Sequence, residues 1–175
     1  MDSRTFPQVL DLVLVGGGHA HALVLRMWGM SPLPGVRLTL VNPDPVAPYT
    51  GMLPGLIAGH YRRDEIMVDL VRLARFAGAR LILDRATGLG RDGDRRRLHL
   101  AGRPPLDCDL LSIDIGIGSA PVEVPGLAAH AVAAKPLGDY AARWDAFLAS
   151  APTDPRLVVI GAGLGGVELA LASMH

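Results

Sequence analysis

Short runs of apolar residues that end in glycine alternate along this chain with segments of helical periodicity. Val9–Val15 is apolar and β-branched apart from Asp11, and it ends in Gly16-Gly17-Gly18, which predicts a buried strand and a tight turn. Ala20–Met30 contains no proline and is rich in Ala, Leu and Met, so it predicts a helix. Val36–Val41 predicts a second strand. A strand, a glycine turn, a helix and a strand in this order make one parallel βαβ unit.

A long segment and a second helix are predicted next. Residues 43–61 hold four prolines and three glycines, which predicts a loop, and loops of this length are usually functional. Asp64 is predicted to cap a helix that runs to Ala77, because apolar residues recur at helical spacing and Gly78 ends the pattern.

Residues 79–116 favour strands. Arg80–Ala86, Arg96–Ala101 and Leu110–Ile115 are predicted to form a three-stranded meander, with a turn at Asp92-Gly93. With the βαβ unit before it, this meander predicts an α/β fold in which a parallel sheet has a β-meander as its second crossover.

The last part of the chain contains the start of a second unit of the same kind. Residues 117–136 are predicted as a linker, and Tyr140, Trp144 and Phe147 fit one face of a following helix. Arg156–Ile160 predicts another buried strand, which leads into a glycine-rich turn and the helix Val167–Ser173.

Composition and charge narrow the classes of function. The chain has 175 residues, half of them apolar, and its 17 basic and 17 acidic residues give a formal net charge of zero. Balanced charge argues against a general nucleic-acid interface, which needs a basic surplus on one face. The lone cysteine, Cys108, allows no internal disulfide and no CxxC pair. We find no pattern of a secretory signal or a membrane span, and we expect a cytoplasmic protein.

The first glycine turn stands where dinucleotide-binding folds have their fingerprint. Gly16 suits the tight turn, Gly18 lets the backbone approach a diphosphate, and the start of the following helix attracts anions. Two departures weaken the pattern. His21 stands where the third small residue is usual, and Asn42 stands where an acidic residue would bind a ribose. The alternative is an ordinary βαβ turn whose glycines serve packing only.

The second glycine turn has the complete fingerprint. Gly161, Gly163 and Gly166 follow a predicted buried strand, and Glu168 lies on the helix that begins there. Two fingerprints in one chain are far more specific than either alone. They predict two dinucleotides, typically a flavin and a nicotinamide.

The order of these elements resembles the pyridine nucleotide-disulfide oxidoreductases, flavoproteins that bind two dinucleotides. Within this superfamily, Gly16–His21 and Tyr49–Gly55 (YTGMLPG) resemble the FAD-containing subunit of type II NADH dehydrogenases, especially the branch fused to selenophosphate synthase. The resemblance covers about residues 9–175 and only the first half of such a protein. It implies a truncated FAD/NAD(P)-binding Rossmann-like fold with three layers and a parallel sheet.

The resemblance also implies domains and cofactor-binding residues. An FAD-binding domain would comprise residues 1–120, a linker and helix residues 121–155, and the start of an NAD(P)H-binding domain residues 156–175. The FAD site would comprise Gly16, Gly17, Gly18, His19 and Ala20 at the diphosphate, Asn42 and Pro43 at the adenosine ribose, Ala86 and Thr87 at the adenine, Thr50, Gly51 and Met52 near the isoalloxazine, and Gly116 at the turn that closes the first FAD segment. The site for NADH or NADPH would comprise Gly161, Gly163, Gly166 and Glu168.

The activity implied by the resemblance is hydride transfer from NADH to FAD, followed by electron transfer to an acceptor such as a quinone. No acid or base is assigned as catalytic, because flavin reduction needs none. We expect the fragment alone to be inactive. Fusion to selenophosphate synthase, peripheral contact with the inner face of a membrane, and pairing of two copies through residues 156–175 are further expectations.

Two other functions stay open: a non-catalytic FAD- or nucleotide-binding module, and a sulfide:quinone-type reductase.

The redox CxxC of the disulfide branch is absent, and Cys108 is expected to be a buried structural residue. His19, His21 and His60 have no supporting cysteine or carboxylate cluster, so no metal site is predicted.

Overall fold

The computed structural model describes residues 9–118, 124–151 and 153–175, and these residues form short strands and helices in alternation. The strands are β1 (Leu10–Val15), β2 (Val36–Asn42), β3 (Val46–Pro48), β4 (Met67–Asp69), β5 (Arg80–Leu83), β6 (Ala86–Asp92), β7 (Arg95–Leu100), β8 (Leu106–Cys108) and β9 (Leu110–Ile113). The helices are α1 (His19–Met30), α2 (Leu53–Ile57), α3 (Leu70–Phe76), α4 (Leu127–His130), α5 (Leu137–Ala149) and α6 (Leu164–Ser173), and Thr50–Met52 forms a 3-10 turn.

The described residues divide into two units. The first unit runs to Ala47 and resumes over Val68–Ile115, and the second comprises Pro48–Met67 and the described residues from Gly116 onward. The division falls inside β3 and β4, which form a two-stranded sheet. The domain boundaries expected from the resemblance stay a prediction.

A four-stranded parallel sheet, in the order β5-β2-β1-β9, is the centre of the first unit. Val15 of β1 lies opposite Val41 of β2 and Ile113 of β9, so these three strands end at the same edge of the sheet. Ligands of parallel α/β sheets bind outside the carboxyl ends of the strands. The sheet therefore brings the residues that follow β1, β2 and β9 to one place.

The two faces of this sheet carry different layers. Val13 of β1 packs in one cluster with Leu98 of the antiparallel sheet β6-β7-β8. Leu14 points to the opposite face and packs with Leu25 of α1 and Leu70 of α3. Side chains alternate between the faces of a strand, so one run of apolar residues serves both layers. A fully buried leucine contributes about 1.5–3 kcal/mol to such a core. The predicted three-layer α/β fold is confirmed.

The predicted composition of the meander is wrong in two of its three strands. Arg80–Leu83 and Leu110–Ile113 belong to the parallel sheet, where they pair with β2 and β1. The antiparallel sheet is formed by β6, β7 and β8 instead. The short apolar patterns of β5 and β9 predict strands, but such a pattern does not specify which strand each one pairs with.

The predicted start of the second helix is also wrong. Helix α3 begins at Leu70, where the Asp69 side chain accepts the Arg72 N–H at 2.9 Å as an N-cap. Asp64 instead pairs with Arg62, which contacts it through two hydrogen bonds. The segment 43–61, predicted as a loop, contains β3, the 3-10 turn and α2.

The core of the second unit is helical. Leu53 and Ile57 of α2 pack in one cluster with Leu137 of α5 and Leu169 of α6. The strand predicted at Arg156–Ile160 is absent: no described strand pairs with this segment, and Val158 is 80% exposed. A strand needs a neighbour to take its backbone hydrogen bonds, so apolar sequence alone does not form one.

Among the residues that the structure describes, none of the helices combines the length and the apolar content that crossing a bilayer requires.

Candidate functional site

The first glycine turn leaves β1 and enters α1 through three positions that have no room for a side chain. Gly16 has a φ of +92°, and a Cβ there would lie 2.1 Å from the carbonyl oxygen of Asp114. A Cβ at Gly17 would lie 2.3 Å from Cδ1 of Leu70, and one at Gly18 would lie 2.5 Å from the Asp114 carboxylate. Glycine is therefore required at Gly16, where φ is positive and the obstacle is backbone, whereas a side chain at Gly17 or Gly18 would have to displace the side chain of Leu70 or Asp114. The turn presents bare backbone at the N-terminus of a 12-residue helix.

Asn42, at the end of β2, holds this turn. Its side-chain Oδ1 accepts the N–H of Gly17 at 2.8 Å, and its Nδ2 donates to the carbonyl of Asp44 at 2.7 Å. The residue is 9% exposed. The expected contact of Asn42 with a ribose stays a prediction, but both polar ends of the side chain already bind the backbone.

His21 occupies the third fingerprint position as a buried residue. Its Nδ1 lies 2.7 Å from the carbonyl oxygen of Gly16, and its Nε2 lies 2.9 Å from Oγ of Ser112 on β9. The side chain is 2% exposed. The sequence shows His21 as a departure from the fingerprint. In the structure its ring fills the space between helix and sheet that a small residue would close by direct packing.

Asp114 is a functional candidate that sequence reasoning missed. It follows β9, and its Oδ2 accepts the N–H of His21 at 2.9 Å in the first turn of α1. A carboxylate at this end of a helix is stabilised by the helix dipole and by the free N–H groups. The signal in the sequence is an acidic residue just after a strand, but it becomes informative only when that strand is known to lie beside β1.

The other predicted residues of the first unit lie in three places. His19 and Ala20 form the exposed start of α1, and Pro43 is exposed directly after β2. Ala86 and Thr87 begin β6 rather than ending a strand. Their contacts with a cofactor stay predictions.

The second unit contains an open cavity of about 440 Å³. Residues from three parts of the sequence line it: the turn that begins at Thr50, the segment around Lys135 and Leu137, and the second glycine turn. The predicted site residues at its wall are Thr50, Gly51, Gly161, Gly163, Gly166 and Glu168. The structure therefore brings the residues expected near the isoalloxazine together with those expected at the nicotinamide dinucleotide.

Two predicted residues of this unit are not at the cavity wall, and one unpredicted residue is. Met52 packs against the helical core, and no atom lies within 4 Å of a Cβ placed on Gly116. Lys135 lines the cavity and, with Glu168, gives it one charge of each sign. Lys135 is the single lysine of the chain, and this was the one feature of the sequence that set it apart as a candidate site residue.

The second glycine turn has the local geometry of its fingerprint. Gly161 has a φ of +120°, and Gly163 is the extended N-cap of α6. A Cβ at Gly166 would lie 2.2 Å from the carbonyl oxygen of Gly161, so only glycine fits there. The first turn of α6 thus approaches the preceding loop as closely as backbone allows.

Cys108 is poorly suited to the thiol chemistry of disulfide-type reductases. The residue is fully buried among Val13, Val15 and Leu98. Burial raises the pKa of its thiol, which disfavours the reactive thiolate. Within residues 9–118, 124–151 and 153–175, no three His, Cys, Asp or Glu side chains are grouped as a metal ion requires.

No family model and no curated protein matches this chain. Solved structures do resemble it. The NAD-dependent persulfide reductase from A. fulgidus has a TM-score of 0.75 at 20% identity, over 94% of this chain and 32% of that one. The sulfide:quinone oxidoreductase from Aquifex aeolicus has a TM-score of 0.67 at 19% identity, over 84% and 33%. NDH2 from Plasmodium falciparum has a TM-score of 0.66 at 15% identity, over 94% and 36%.

The chain thus spans about a third of the length of the solved structures that it matches. Fusion to selenophosphate synthase stays a prediction. These neighbours are pyridine nucleotide-disulfide oxidoreductases, and the chain has their fold.

Proposed function

We propose that this chain is part of an FAD-dependent NAD(P)H oxidoreductase that passes electrons to an acceptor such as a quinone. The observation that carries the proposal is the cavity of the second unit, where Thr50 and Gly51 share a wall with Gly161, Gly163 and Glu168. Hydride transfer requires the nicotinamide and isoalloxazine rings to meet in one site, and this cavity would provide that site. FAD, when bound, would supply the redox chemistry, because a flavin can accept a hydride from NAD(P)H and pass the electrons on to the acceptor.

The first glycine turn would hold the FAD diphosphate. Gly16, Gly17 and Gly18 leave the backbone bare, and Gly18 caps α1 without a side-chain hydrogen bond. These features suit an anion at the helix N-terminus. The Asp114 carboxylate lies at the same helix end, so a bound diphosphate would share that end with a negative charge.

The cavity of the second unit would hold the nicotinamide dinucleotide. The second glycine turn would face its diphosphate, and Glu168 would accept hydrogen bonds from the ring carboxamide. Leu53, Leu137 and Leu169 form apolar parts of the wall, which would exclude water from the reacting atoms.

The first test is the visible absorption spectrum of the purified chain, as isolated and after FAD has been added and the excess removed. We expect a retained flavin band, and we expect NADH added without oxygen to leave that band unchanged, because the chain spans about a third of the length of its structural neighbours. A folded chain that retains no flavin would contradict the proposal for FAD. Bleaching of the retained flavin by NADH would contradict the expected inactivity of the chain alone and would also exclude the non-catalytic module.

A pair of variants locates the nicotinamide site. Glu168→Gln should weaken NADH binding and leave FAD retention unchanged, because a neutral amide accepts a weaker hydrogen bond than a carboxylate. Asp139→Asn makes the same change of charge on the exposed first turn of α5 and serves as the control. Equal NADH affinity in the wild type and both variants would remove Glu168 from the site.

A further inference from the structure

Asn42 stands where dinucleotide-binding folds have an acidic residue that binds the ribose, yet its side chain is already engaged. Oδ1 accepts the Gly17 N–H at 2.8 Å, and Nδ2 donates to the Asp44 carbonyl at 2.7 Å. These two bonds need one acceptor and one donor on the same side chain, which an amide has and an ionised carboxylate lacks. Turning Asn42 toward a ribose would cost both bonds.

The packing around Gly17 supports the same role. A Cβ at Gly17 would lie 3.2 Å from the Asn42 side chain and 2.3 Å from Cδ1 of Leu70. The middle residue of the turn is therefore enclosed between a hydrogen-bonding amide and a core leucine. Asn42 itself is 9% exposed, so water competes little for its hydrogen bonds.

We propose that Asn42 is a positioning residue, which fixes the first glycine turn through Gly17 and the loop after β2 through Asp44. The inference rests on the proposed function in one respect: the turn that Asn42 holds is the one expected to bind the diphosphate. The turn then keeps its shape without ligand, so a nucleotide does not have to order it.

Asn42→Asp separates this role from direct contact with a ribose, because the two roles predict opposite changes in the affinity for FAD. A carboxylate would bind ribose hydroxyls more strongly than an amide, so the contact role predicts tighter FAD binding. The positioning role predicts binding weaker by about tenfold, the loss expected for one hydrogen bond. The reason is that a carboxylate oxygen would face the Asp44 carbonyl in place of the Nδ2 donor and would repel it.

A second readout needs no nucleotide. Hydrogen exchange of the Gly17 amide, followed by NMR on the nitrogen-labelled chain without FAD, should be faster by about tenfold in Asn42→Ala. Asp44→Ala is the matched control, because Asn42 contacts only the backbone carbonyl of Asp44. It should leave the exchange of Gly17 unchanged.

The outcomes separate this inference from the proposed function. Unchanged protection of Gly17 in Asn42→Ala, or tighter FAD binding in Asn42→Asp, would overturn the positioning role. Lost protection of Gly17 in a chain that binds no FAD in any form would support the positioning role and overturn the proposed function. Circular dichroism of each variant shows whether it is folded. If Asn42→Ala does not fold, Asn42→Asp provides the test.

Discussion

Replacing His21 by glycine restores the small residue that a dinucleotide fingerprint has at this position. From the sequence alone, we would therefore expect the substitution to leave the stability of the fold unchanged or to increase it. The structure predicts the opposite, because the buried ring contacts both the Gly16 carbonyl and the Ser112 hydroxyl. Its removal breaks two hydrogen bonds and leaves a space between α1 and β9.

The size of the loss can be worked from these contacts. Two hydrogen bonds contribute about 1 kcal/mol each, and the space left by a buried ring adds about 1–2 kcal/mol. Glycine in a helix costs up to about 1 kcal/mol more than alanine. We expect His21→Ala to lower the free energy of unfolding by about 3–4 kcal/mol and His21→Gly by about 4–5 kcal/mol.

Urea unfolding followed by circular dichroism measures these differences. Ala20→Gly is the control, since Ala20 is an exposed neighbour on the same helix and reports the cost of glycine alone. If His21→Gly lost no more stability than Ala20→Gly, the ring would contribute nothing to the fold and the reasoning would be refuted.

Asp114→Asn should tighten FAD binding, because it removes a negative charge from the N-terminal end of α1, and it should lower the free energy of unfolding by about 1 kcal/mol. Weaker FAD binding in a fluorescence titration would contradict this prediction. Arg37 donates two hydrogen bonds to Asp11 and holds the pKa of that carboxyl below its ordinary value of 3.8. The contribution of Asp11 to stability is therefore complete above about pH 5 and is lost as the pH falls through 3.8 toward the lower pKa of the folded state. Asp11→Asn should then lower the unfolding free energy by about 1 kcal/mol at neutral pH and by less in acid, and an equal loss at both would refute the assignment. Gly166→Ala should disrupt the second glycine turn, because its Cβ would lie 2.2 Å from the Gly161 carbonyl, whereas Gly165→Ala meets open space; similar thermal stability in both variants would contradict the packing.

Local sequence patterns are enough to predict the βαβ unit, both glycine turns and the helices that follow them. Val9–Val15 and Val36–Val41 are apolar runs between glycine- or proline-rich punctuation, and such patterns depend on local residues alone. The two fingerprints also predicted which segments would supply a dinucleotide site. That expectation stays a prediction; the structure shows that Thr50, Gly51 and the second glycine turn line one cavity.

Strand pairing and the contacts of the polar side chains depend on residues distant in sequence, so the sequence did not predict them. Arg80–Leu83 and Leu110–Ile113 look like meander strands in the sequence, but their partners lie far away along the chain in the parallel sheet. Arg156–Ile160 has the composition of a strand and forms none, because no described strand pairs with it. The side chains of Asn42 and Asp114 reach the first glycine turn only because β2 and β9 end beside β1. Pairing and capping depend on groups distant in sequence, so a local pattern predicts an element but not its partner.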